Sequence, residues 1–405
     1  MRLRSGRWIG VESIVCNGCS LLCDDVAAEV LGKTVNSLGL CTLGHAHLEK
    51  AALQKTTQAE KDFEKATDIL ATGKNILVYG WTHATNEAIK EGIKLSSLLN
   101  GYMASSIDLG AAQVMEHKIN ASGLGIDLEY VRNNGDFIIY WGSDPSESLH
   151  RHPSRFAVLP RGKKIPEGIE SRTIGVVDIR QTETMKMANH RLIIPGGKDA
   201  DLLDVIISEL EEKSSIKDRV LGIPGSELVG FVNGFRKADC TVIFYGSGVI
   251  NSGNQETNLT KIAKLVETLR NKGKEAYALP MFVQSNTMGV EKAVSGVHSL
   301  QRISSGEFDT ALIVADDALA HLPGPAAKEL ARSQIVYVGP PGGLTDKRAA
   351  VSIHTADTIV AGTGTMTRVD MNEMEFKKWK ASKGDATIIQ TIRKLTELVR
   401  KRKSL

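Results

Sequence analysis

Four of the five cysteines in this 405-residue chain form a C-x2-C-x3-C-x17-C pattern, made by Cys16, Cys19, Cys23 and Cys41. Three thiolates on one short loop and a remote fourth suit a cubane [4Fe–4S] cluster, whose corners need sulfur ligands from a curved backbone. Gly18 gives the loop the freedom to curve. A structural zinc site usually pairs two C-x2-4-C knuckles, and the second knuckle is missing here. The pattern therefore predicts a small N-terminal iron–sulfur module, with a four-thiolate zinc site or no metal as the alternatives.

The composition bounds the kind of protein that carries this module. The chain has 42% hydrophobic and 24% charged residues, enough to bury a sizeable core in two or three domains. Fifty Lys and Arg against 47 Asp and Glu leave a net charge of +3, which argues against a nucleic-acid partner. No apolar run reaches the roughly 20 residues that span a bilayer, and the N-terminus lacks a signal-peptide core. We therefore expect a cytoplasmic protein with no membrane partner, and a buried free thiol at Cys240.

Beyond residue 58, short continuous apolar runs alternate with segments of helical periodicity. The runs are Ile76–Tyr79, Phe137–Trp141, Thr173–Val177, Val242–Tyr245, Thr310–Val314 and Gln334–Val338. Strands that are apolar on both faces are typical of parallel sheets covered by helices. Segments such as 86–99 and 258–269 carry apolar residues at helical spacing. The pattern predicts an α/β fold with Rossmann-like parallel sheets.

This α/β region contains an internal repeat. Three pairs of segments correspond: Ile76–Thr82 with Val242–Gly248, Tyr140–Pro153 with Ile313–Pro323, and Ile174–Arg180 with Ile335–Pro341. The repeat predicts two pseudo-repeated lobes, 59–228 and 229–360, after a module of residues 1–58 and before a C-terminal cleft segment and docking helix in 361–405. Ligands of such sheets bind beyond the carboxyl ends of the strands, where strand order reverses. Two facing lobes would form one pseudo-symmetric cleft, and duplication without a shared ligand is the alternative.

Glycines follow several of the predicted strands closely, namely Gly80, Gly142, Gly246 and Gly248. A missing Cβ lets backbone N–H groups approach a phosphate or a polar ring, although no P-loop or G-x-G-x-x-G fingerprint is present. After the third strand, Asp178 and Arg180 suit a ribose and a phosphate. The alternative there is a helix cap by Thr182 or Thr184 with a surface ion pair.

Several motifs, taken in order, resemble one known family. They are the cysteine set with Asp24-Asp25, Cys41–His45, Val78–Thr82, Tyr140–Pro145 with His150–Arg155, Val176–Arg180 and Gly364–Arg368. The chain resembles, over nearly its whole length, the family of formylmethanofuran dehydrogenase B subunits, part of the molybdopterin oxidoreductase group. It also resembles the B subunit of formyltransferase/hydrolase complexes.

The resemblance implies a [4Fe–4S] module followed by two lobes that hold molybdopterin guanine dinucleotides with tungsten or molybdenum. The implied cofactor-binding residues are Gly80, Thr82, Gly142, Ser143, Asp144, Asp178, Arg180, Thr182, Gly246, Gly248, Asp316, Asp317, His321 and Arg368. The implied partners are an amidohydrolase-like subunit, a formyltransferase-like subunit and a pterin-covering β-barrel subunit.

The chain departs from the family where the metal is held. The family's Val-Cys-His-Gly-Pro segment aligns with Ile107–Ala111, so Asp108 replaces the cysteine ligand and Leu109 the histidine. The Arg near the family's metal aligns with Phe282. Asp108 is a candidate metal ligand, because carboxylate ligates molybdenum in distant relatives. The loss of thiolate, imidazole and guanidinium together nevertheless removes the groups that would hold formate and manage its proton.

Two interpretations follow. In the first, the chain is an active tungsten or molybdenum subunit that interconverts carbon dioxide and formate. In the second, its metal site is degenerate and its role in the complex is mainly structural, while partners transfer or hydrolyse the formyl group. The retained cysteines favour the first and the altered metal segment favours the second. A free-standing thiamine-diphosphate enzyme, the third class considered, leaves the cysteines unexplained.

Overall fold

The structure, a computed structural model, describes residues 12–31, 34–54, 56, 58–106, 126–294, 299–379 and 386–404. The chain forms two compact units. Unit 1 comprises Met1–Ala112, Gln284–Arg368 and Glu373–Leu405, and unit 2 comprises Gln113–Val283 and Val369–Asn372. Most of unit 2 is therefore a long insertion within the sequence of unit 1.

The secondary structure of the described residues alternates between strands and helices. The strands are β1 (Glu12–Ile14), β2 (Val26–Leu31), β3 (Thr34–Leu38), β4 (Ile76–Gly80), β5 (Tyr102–Ala104), β6 (Phe137–Trp141), β7 (Thr173–Asp178), β8 (His190–Ile193), β9 (Cys240–Tyr245), β10 (Glu275–Pro280), β11 (Thr310–Val314), β12 (Gln334–Gly339), β13 (Val351–His354), β14 (Gly364–Thr367) and β15 (Glu373–Phe376). The α-helices are α1 (Thr42–Leu53), α2 (Glu60–Thr72), α3 (Asn86–Leu99), α4 (Leu128–Asn134), α5 (Pro145–Ser148), α6 (Asp199–Leu210), α7 (Gly225–Lys237), α8 (Ser247–Ile250), α9 (Gln255–Asn271), α10 (Thr287–Ala293), α11 (Ser299–Ser304), α12 (Ala318–His321), α13 (Gly324–Leu330), α14 (Leu344–Arg348), α15 (Thr358–Ala361) and α16 (Ile388–Lys403).

Each unit is built on one five-stranded sheet in which all neighbouring strands are parallel. In unit 2 the order is β10-β9-β6-β7-β8, and in unit 1 it is β13-β12-β11-β4-β5. The central strands β4, β6 and β11 are buried at every residue, because helices cover both faces of the sheets. The predicted α/β fold with two parallel, Rossmann-like sheets is confirmed.

Strand order reverses once in each sheet. In unit 2 the chain runs from β6 outward to β8 and then returns to the other side of β6 with β9, so the reversal lies between β6 and β9. In unit 1 the corresponding point lies between β4 and β11. The loops that follow these four strands are where ligands of open α/β sheets bind.

The two compact units of the structure do not follow the predicted lobe boundaries. A division at residue 228 would place β4 with β6 and β9 with β11, whereas β4 pairs with β11 and β9 pairs with β6. Equivalent backbone hydrogen bonds set the register of the repeat: Gly246 N–H to Trp141 O at 3.0 Å corresponds to Trp81 N–H to Val314 O at 2.9 Å. Gly246 is thus equivalent to Trp81, one residue from the predicted match with Gly80.

Unit 1 also contains a three-stranded antiparallel sheet, ordered β1-β2-β3, a two-stranded antiparallel sheet of β14 and β15, and the C-terminal helix α16. Helix α16 begins with a capping box formed by Thr387 and Gln390. Its apolar side packs against α2 and α3, with Ile392, Leu395 and Val399 fully buried. None of the described helices is both long and apolar enough to cross a membrane.

Candidate functional site

The first three cysteines of the pattern lie on the loop between β1 and β2. The loop folds back on itself, because Cys16 N–H donates to Cys23 O at 2.9 Å and Leu22 N–H donates to Cys19 O at 3.2 Å. Leu22 accommodates the bend with a φ of +38°. Cys16 and Cys23 are buried, while Cys19 is partly exposed. The local chain geometry therefore gathers three thiols on one tight loop, as the spacing predicted.

The remote fourth cysteine reaches this loop through the start of α1. Cys41 caps the helix, with its Sγ accepting a hydrogen bond from Gly44 N–H at 3.4 Å. A Cβ on Gly44 would lie 3.2 Å from Cys16 Sγ and 3.6 Å from Cys41 Sγ, so both sulfurs border the space beside this glycine. On the loop, Gly18 N–H donates to Cys16 Sγ at 3.4 Å. Small residues let sulfurs from distant parts of the sequence converge here.

The charge environment of the thiols bears on what they hold. Burial raises the pKa of the Cys16 thiol far above its usual value; the Gly18 N–H opposes this, and the thiols of Cys19, Cys23 and Cys41 raise the pKa further. A bound metal would supply the positive charge that stabilises such thiolates. In the part of the chain that the structure describes, no three His, Cys, Asp or Glu side chains are spaced to hold a single ion. The four-sulfur donor set itself fits an iron–sulfur cluster in its chemistry.

The side chains of Asn17, His47 and Asp357 form a hydrogen-bonded group beside the cysteine loop. The fully buried Asn17 donates through Nδ2 to Asp357 Oδ1 at 3.0 Å, and its Oδ1 lies 2.9 Å from His47 Nε2 on α1. His47 Nε2 also lies 3.4 Å from Asp357 Oδ1, which accepts a hydrogen bond from Ile359 N–H at 3.0 Å. Burial lowers the pKa of His47, but the Asp357 carboxylate outweighs it and the net pKa is raised. Sequence analysis missed this group because its members share no motif.

Two predicted cofactor-binding carboxylates act within the fold instead. Asp144, after β6, accepts hydrogen bonds from Glu183 N–H at 3.0 Å, from Thr184 N–H at 3.1 Å and from the Thr184 hydroxyl at 2.5 Å. Asp317, after β11, accepts the same three bonds from Leu344 and Thr345, at 2.9, 2.7 and 2.8 Å. Each carboxylate therefore fastens the loop of the neighbouring strand, which accounts for both residues without a ligand.

The predicted phosphate-approach glycines of unit 2 have a packing role. A Cβ on Gly246 would lie 2.6 Å from Gly142 O and 2.8 Å from Ser143 Cβ, and a Cβ on Gly248 would lie 2.8 Å from Gly142 Cα. Gly248 N–H donates to Gly142 O at 2.9 Å. The loops after β6 and β9 therefore contact each other backbone to backbone, and these glycines are needed for that contact. Ser143 is buried beside it.

The loop after β7 shows the surface ion pair of the structural alternative but not its helix cap, because the short 3-10 helix Thr184–Met187 has no side-chain cap. Asp178 Oδ1 accepts hydrogen bonds from the backbone N–H groups of Ile179 and Arg180, at 2.8 and 3.3 Å. The Arg180 guanidinium lies 3.4 Å from the exposed Glu147 carboxylate, which is a surface ion pair. Thr182 is buried, and its hydroxyl has no hydrogen-bond partner among the described residues.

Where strand order reverses in unit 1, between β4 and β11, some buried polar atoms have no hydrogen-bond partner among the described residues. They are Thr82 Oγ1 after β4 and Asp316 Oδ1 after β11. Thr355 Oγ1, after the edge strand β13, also has no partner among the described residues. The other oxygen of Asp316 accepts from the Ser106 hydroxyl at 3.1 Å, and His321 Nδ1 lies 3.5 Å from Asp316 Oδ1. The neighbouring Asp316 carboxylate raises the pKa of His321. Of these residues, only Thr355 and Ser106 were not predicted.

The positions of the other predicted residues give less information about a ligand. A Cβ on Gly80 would lie 2.3 Å from Val314 O, so this glycine is needed for the close approach of β4 to the end of β11. Arg368 is buried directly after β14, and Phe282 is buried in unit 2 with 7% of its surface exposed. Asp108 and Leu109 lie outside the described residues. Cys240 is a buried free thiol, as predicted.

Comparison with known proteins places these features in context. No protein-family model matches the chain. Two proteins named as the B subunit of tungsten-containing formylmethanofuran dehydrogenase 2 are similar to it: one from Methanocaldococcus jannaschii, 26% identical over 408 residues, and one from Methanococcus maripaludis, 25% identical over 434 residues. The alignments cover 91% and 96% of this chain and 93% and 99% of those proteins.

A solved structure shares the fold. It is a chain of the formyltransferase/hydrolase complex FhcABCD from Methylorubrum extorquens, determined with methylofuran, and it matches with a TM-score of 0.66 at 13% identity. The match covers 86% of this chain and 98% of that one. The resemblance predicted from the motifs is confirmed: this chain is a relative, over nearly its whole length, of the formylmethanofuran dehydrogenase B subunit.

Proposed function

We propose that the chain is the B-type component of a complex of the formylmethanofuran dehydrogenase or formyltransferase/hydrolase type, acting on formyl groups in one-carbon metabolism. The observation that carries this proposal is a loop with Cys16, Cys19 and Cys23, and with the sulfur of Cys41 near that of Cys16, in a chain that aligns over 91% and 96% of its length with two dehydrogenase B subunits. Amidohydrolase-like, formyltransferase-like and pterin-covering β-barrel subunits are the proposed partners. Leu38 and Leu43, exposed on either side of Cys41, are apolar surface of the kind that contacts between subunits cover.

In this proposal Cys16, Cys19, Cys23 and Cys41 hold a [4Fe–4S] cluster, which supplies one-electron transfer when bound. The chain's own contribution is to hold four thiolates together and to set their surroundings. N–H donors to the sulfurs, such as that of Gly18, stabilise thiolate charge and raise the reduction potential of a cluster held there.

We further propose that the chain does not itself interconvert carbon dioxide and formate. That reaction needs a metal with a tunable ligand and a fixed cation beside the formate carboxylate. Asp108, Leu109 and Phe282 supply no thiolate, imidazole or guanidinium. The missing charged hydrogen bond alone costs about 1.5–3 kcal/mol, which is roughly tenfold or more in rate. The role of this chain is then mainly structural, with formyl chemistry carried out by partners.

The alternative is an active tungsten or molybdenum subunit with a pterin dinucleotide. Two observations favour it: both named relatives are described as tungsten-containing, and in unit 1 the buried hydroxyls of Thr82 and Thr355 have no hydrogen-bond partner among the described residues, while the buried Asp316 Oδ1 has a 3.5 Å ion-pair contact with His321. Hydroxyls and a carboxylate fit the hydrogen-bonding groups of a pterin or a guanine. These residues of unit 1 would hold such a group, whereas the paired carboxylates of Asp144 and Asp317 would not.

A pair of cysteine variants tests the proposal. We expect the natively purified, anaerobic protein to contain iron and acid-labile sulfide in near-equal amounts, and Cys19→Ser to lose both. Cys240→Ser, which alters a buried thiol of unit 2, should keep both. Equal cluster content in the two variants would contradict the assignment of the four cysteines.

A further inference from the structure

The polar group behind the cysteine loop links that loop to a histidine in contact with solvent. Asn17 lies between Cys16 and Gly18, and both ends of its amide are engaged, one by Asp357 and the other by His47. Because the amide oxygen of Asn17 only accepts, His47 Nε2 carries a hydrogen, and the proton that His47 gains or loses is on Nδ1. One quarter of the His47 side chain is exposed, so water reaches the ring.

We propose that His47 is a positioning residue that takes up a proton when the cysteine site is reduced, with Asn17 and Asp357 holding it against the loop. This inference rests on the proposed [4Fe–4S] cluster. With a cluster held by the cysteines, one electron from an external one-electron reductant would add one negative charge at the loop. His47 Nδ1 would bind one proton from the solvent, and the two added charges would balance.

The charges around His47 support this coupling. The carboxylate of Asp357 favours the imidazolium, whereas the ammonium of Lys50 on the same helix opposes it. His83, after β4, is buried, and its pKa is lowered by that burial; it interacts with Asp357, with His47 and also with Asp316 and His321. Strand β3, which packs on α1, carries no titratable residue. A further negative charge at the cysteine loop would favour the imidazolium of His47, as the Asp357 carboxylate already does.

The test is a potentiometric titration of the cluster, followed by electron paramagnetic resonance, at a series of pH values across the neutral range. The protein is the full chain in its native complex, with iron and sulfide measured on the same sample. We expect the wild-type potential to fall as pH rises, approaching a tenfold change in the reduction equilibrium per pH unit, about 59 mV for a one-electron couple.

Three variants separate charge from structure. His47→Gln keeps an N–H for Asn17 but does not titrate, so its potential should be independent of pH. His47→Arg carries a permanent cation, so its potential should be independent of pH and higher than that of His47→Gln. His45→Gln, on the same helix and bonded to Ser37 at 2.8 Å, should keep the wild-type slope.

Proton uptake by the wild type on reduction, measured with an indicator dye in weak buffer, gives the same answer if a variant fails to fold. A pH-independent wild-type potential, or a wild-type slope in His47→Gln, would overturn the inference while leaving the cluster in place. A sample without sulfide would overturn the proposed cluster, and this inference with it.

Discussion

Thr184 donates both its backbone N–H and its hydroxyl to one oxygen of Asp144, at 3.1 and 2.5 Å. Thr345 does the same to Asp317 in the other unit, at 2.7 and 2.8 Å. In both units the backbone N–H two residues after the aspartate, in Ser146 or Leu319, donates to the same threonine hydroxyl. The loops of the two sheets are therefore held by the same set of hydrogen bonds between an aspartate and a threonine, which supports the view that the sheets are structural repeats.

Removing the carboxylate that accepts these hydrogen bonds should destabilise the unit that contains it. We expect Asp144→Ala to lower the free energy of unfolding by roughly 1.5–3 kcal/mol, because three donors lose a charged acceptor. Asp201→Ala, which removes an exposed ion pair with Lys198, should cost less than about 1 kcal/mol. Denaturant titration of both variants checks this. Equal losses would show that the Asp144 contacts carry no special weight.

The contact between the loops of unit 2 should not tolerate a methyl group. Gly246→Ala places a Cβ within 2.6 Å of Gly142 O, and we expect the unfolding midpoint to fall by the equivalent of about 1–3 kcal/mol. Gly196→Ala, where a Cβ meets nothing within 4 Å, should be neutral or slightly stabilising. If Gly246→Ala had the same unfolding midpoint as the wild type, the packing role of Gly246 would be contradicted.

The His47–Asp357 pair should stabilise the fold within a defined pH window. Burial raises the pKa of Asp357, but His47, Ile359 N–H and Asn17 outweigh it and the net pKa is lowered, so its contribution is present above the usual value of 3.8 and is lost as pH falls through the folded value. The raised pKa of His47 gives stability that is present below 6.5 and is lost as pH rises through its folded value. The cost of Asp357→Asn, about 3–5 kcal/mol at its largest, should therefore peak between these limits. Thermal unfolding against pH measures it, and a cost that is constant across pH would argue against the pair.

If the chain has lost formate chemistry, as proposed, the complex should not oxidise formate. Native complex should not reduce viologen dyes with formate, because in the proposed function Asp108, Leu109 and Phe282 stand in place of the thiolate, imidazole and guanidinium. Formyl transfer or hydrolysis by the same complex is the positive control. Formate-dependent reduction that disappears in Asp108→Ala would make Asp108 a metal ligand and establish the alternative function.

The sequence was sufficient for the fold class, because apolar runs are local signals, and the cysteine spacing pointed to the one loop that carries Cys16, Cys19 and Cys23. It was not sufficient for the division into units, since an apolar run does not record which strand it pairs with; β4 pairs with β11 across the whole inserted unit. The hydrogen-bonded group of Asn17, His47 and Asp357 was missed for a similar reason, because Asn17 and Asp357 are 340 residues apart in the sequence. Asp144, Asp317 and the glycines of unit 2 were identified as important, but burial and hydrogen bonding explain them as parts of the fold.

Elemental analysis of the natively purified, anaerobic complex tests the account most directly. Iron and acid-labile sulfide should be present in near-equal amounts, and tungsten and molybdenum should fall well below one per chain. Stoichiometric zinc without sulfide would contradict the cluster at Cys16, Cys19, Cys23 and Cys41, and stoichiometric tungsten or molybdenum would contradict the mainly structural role.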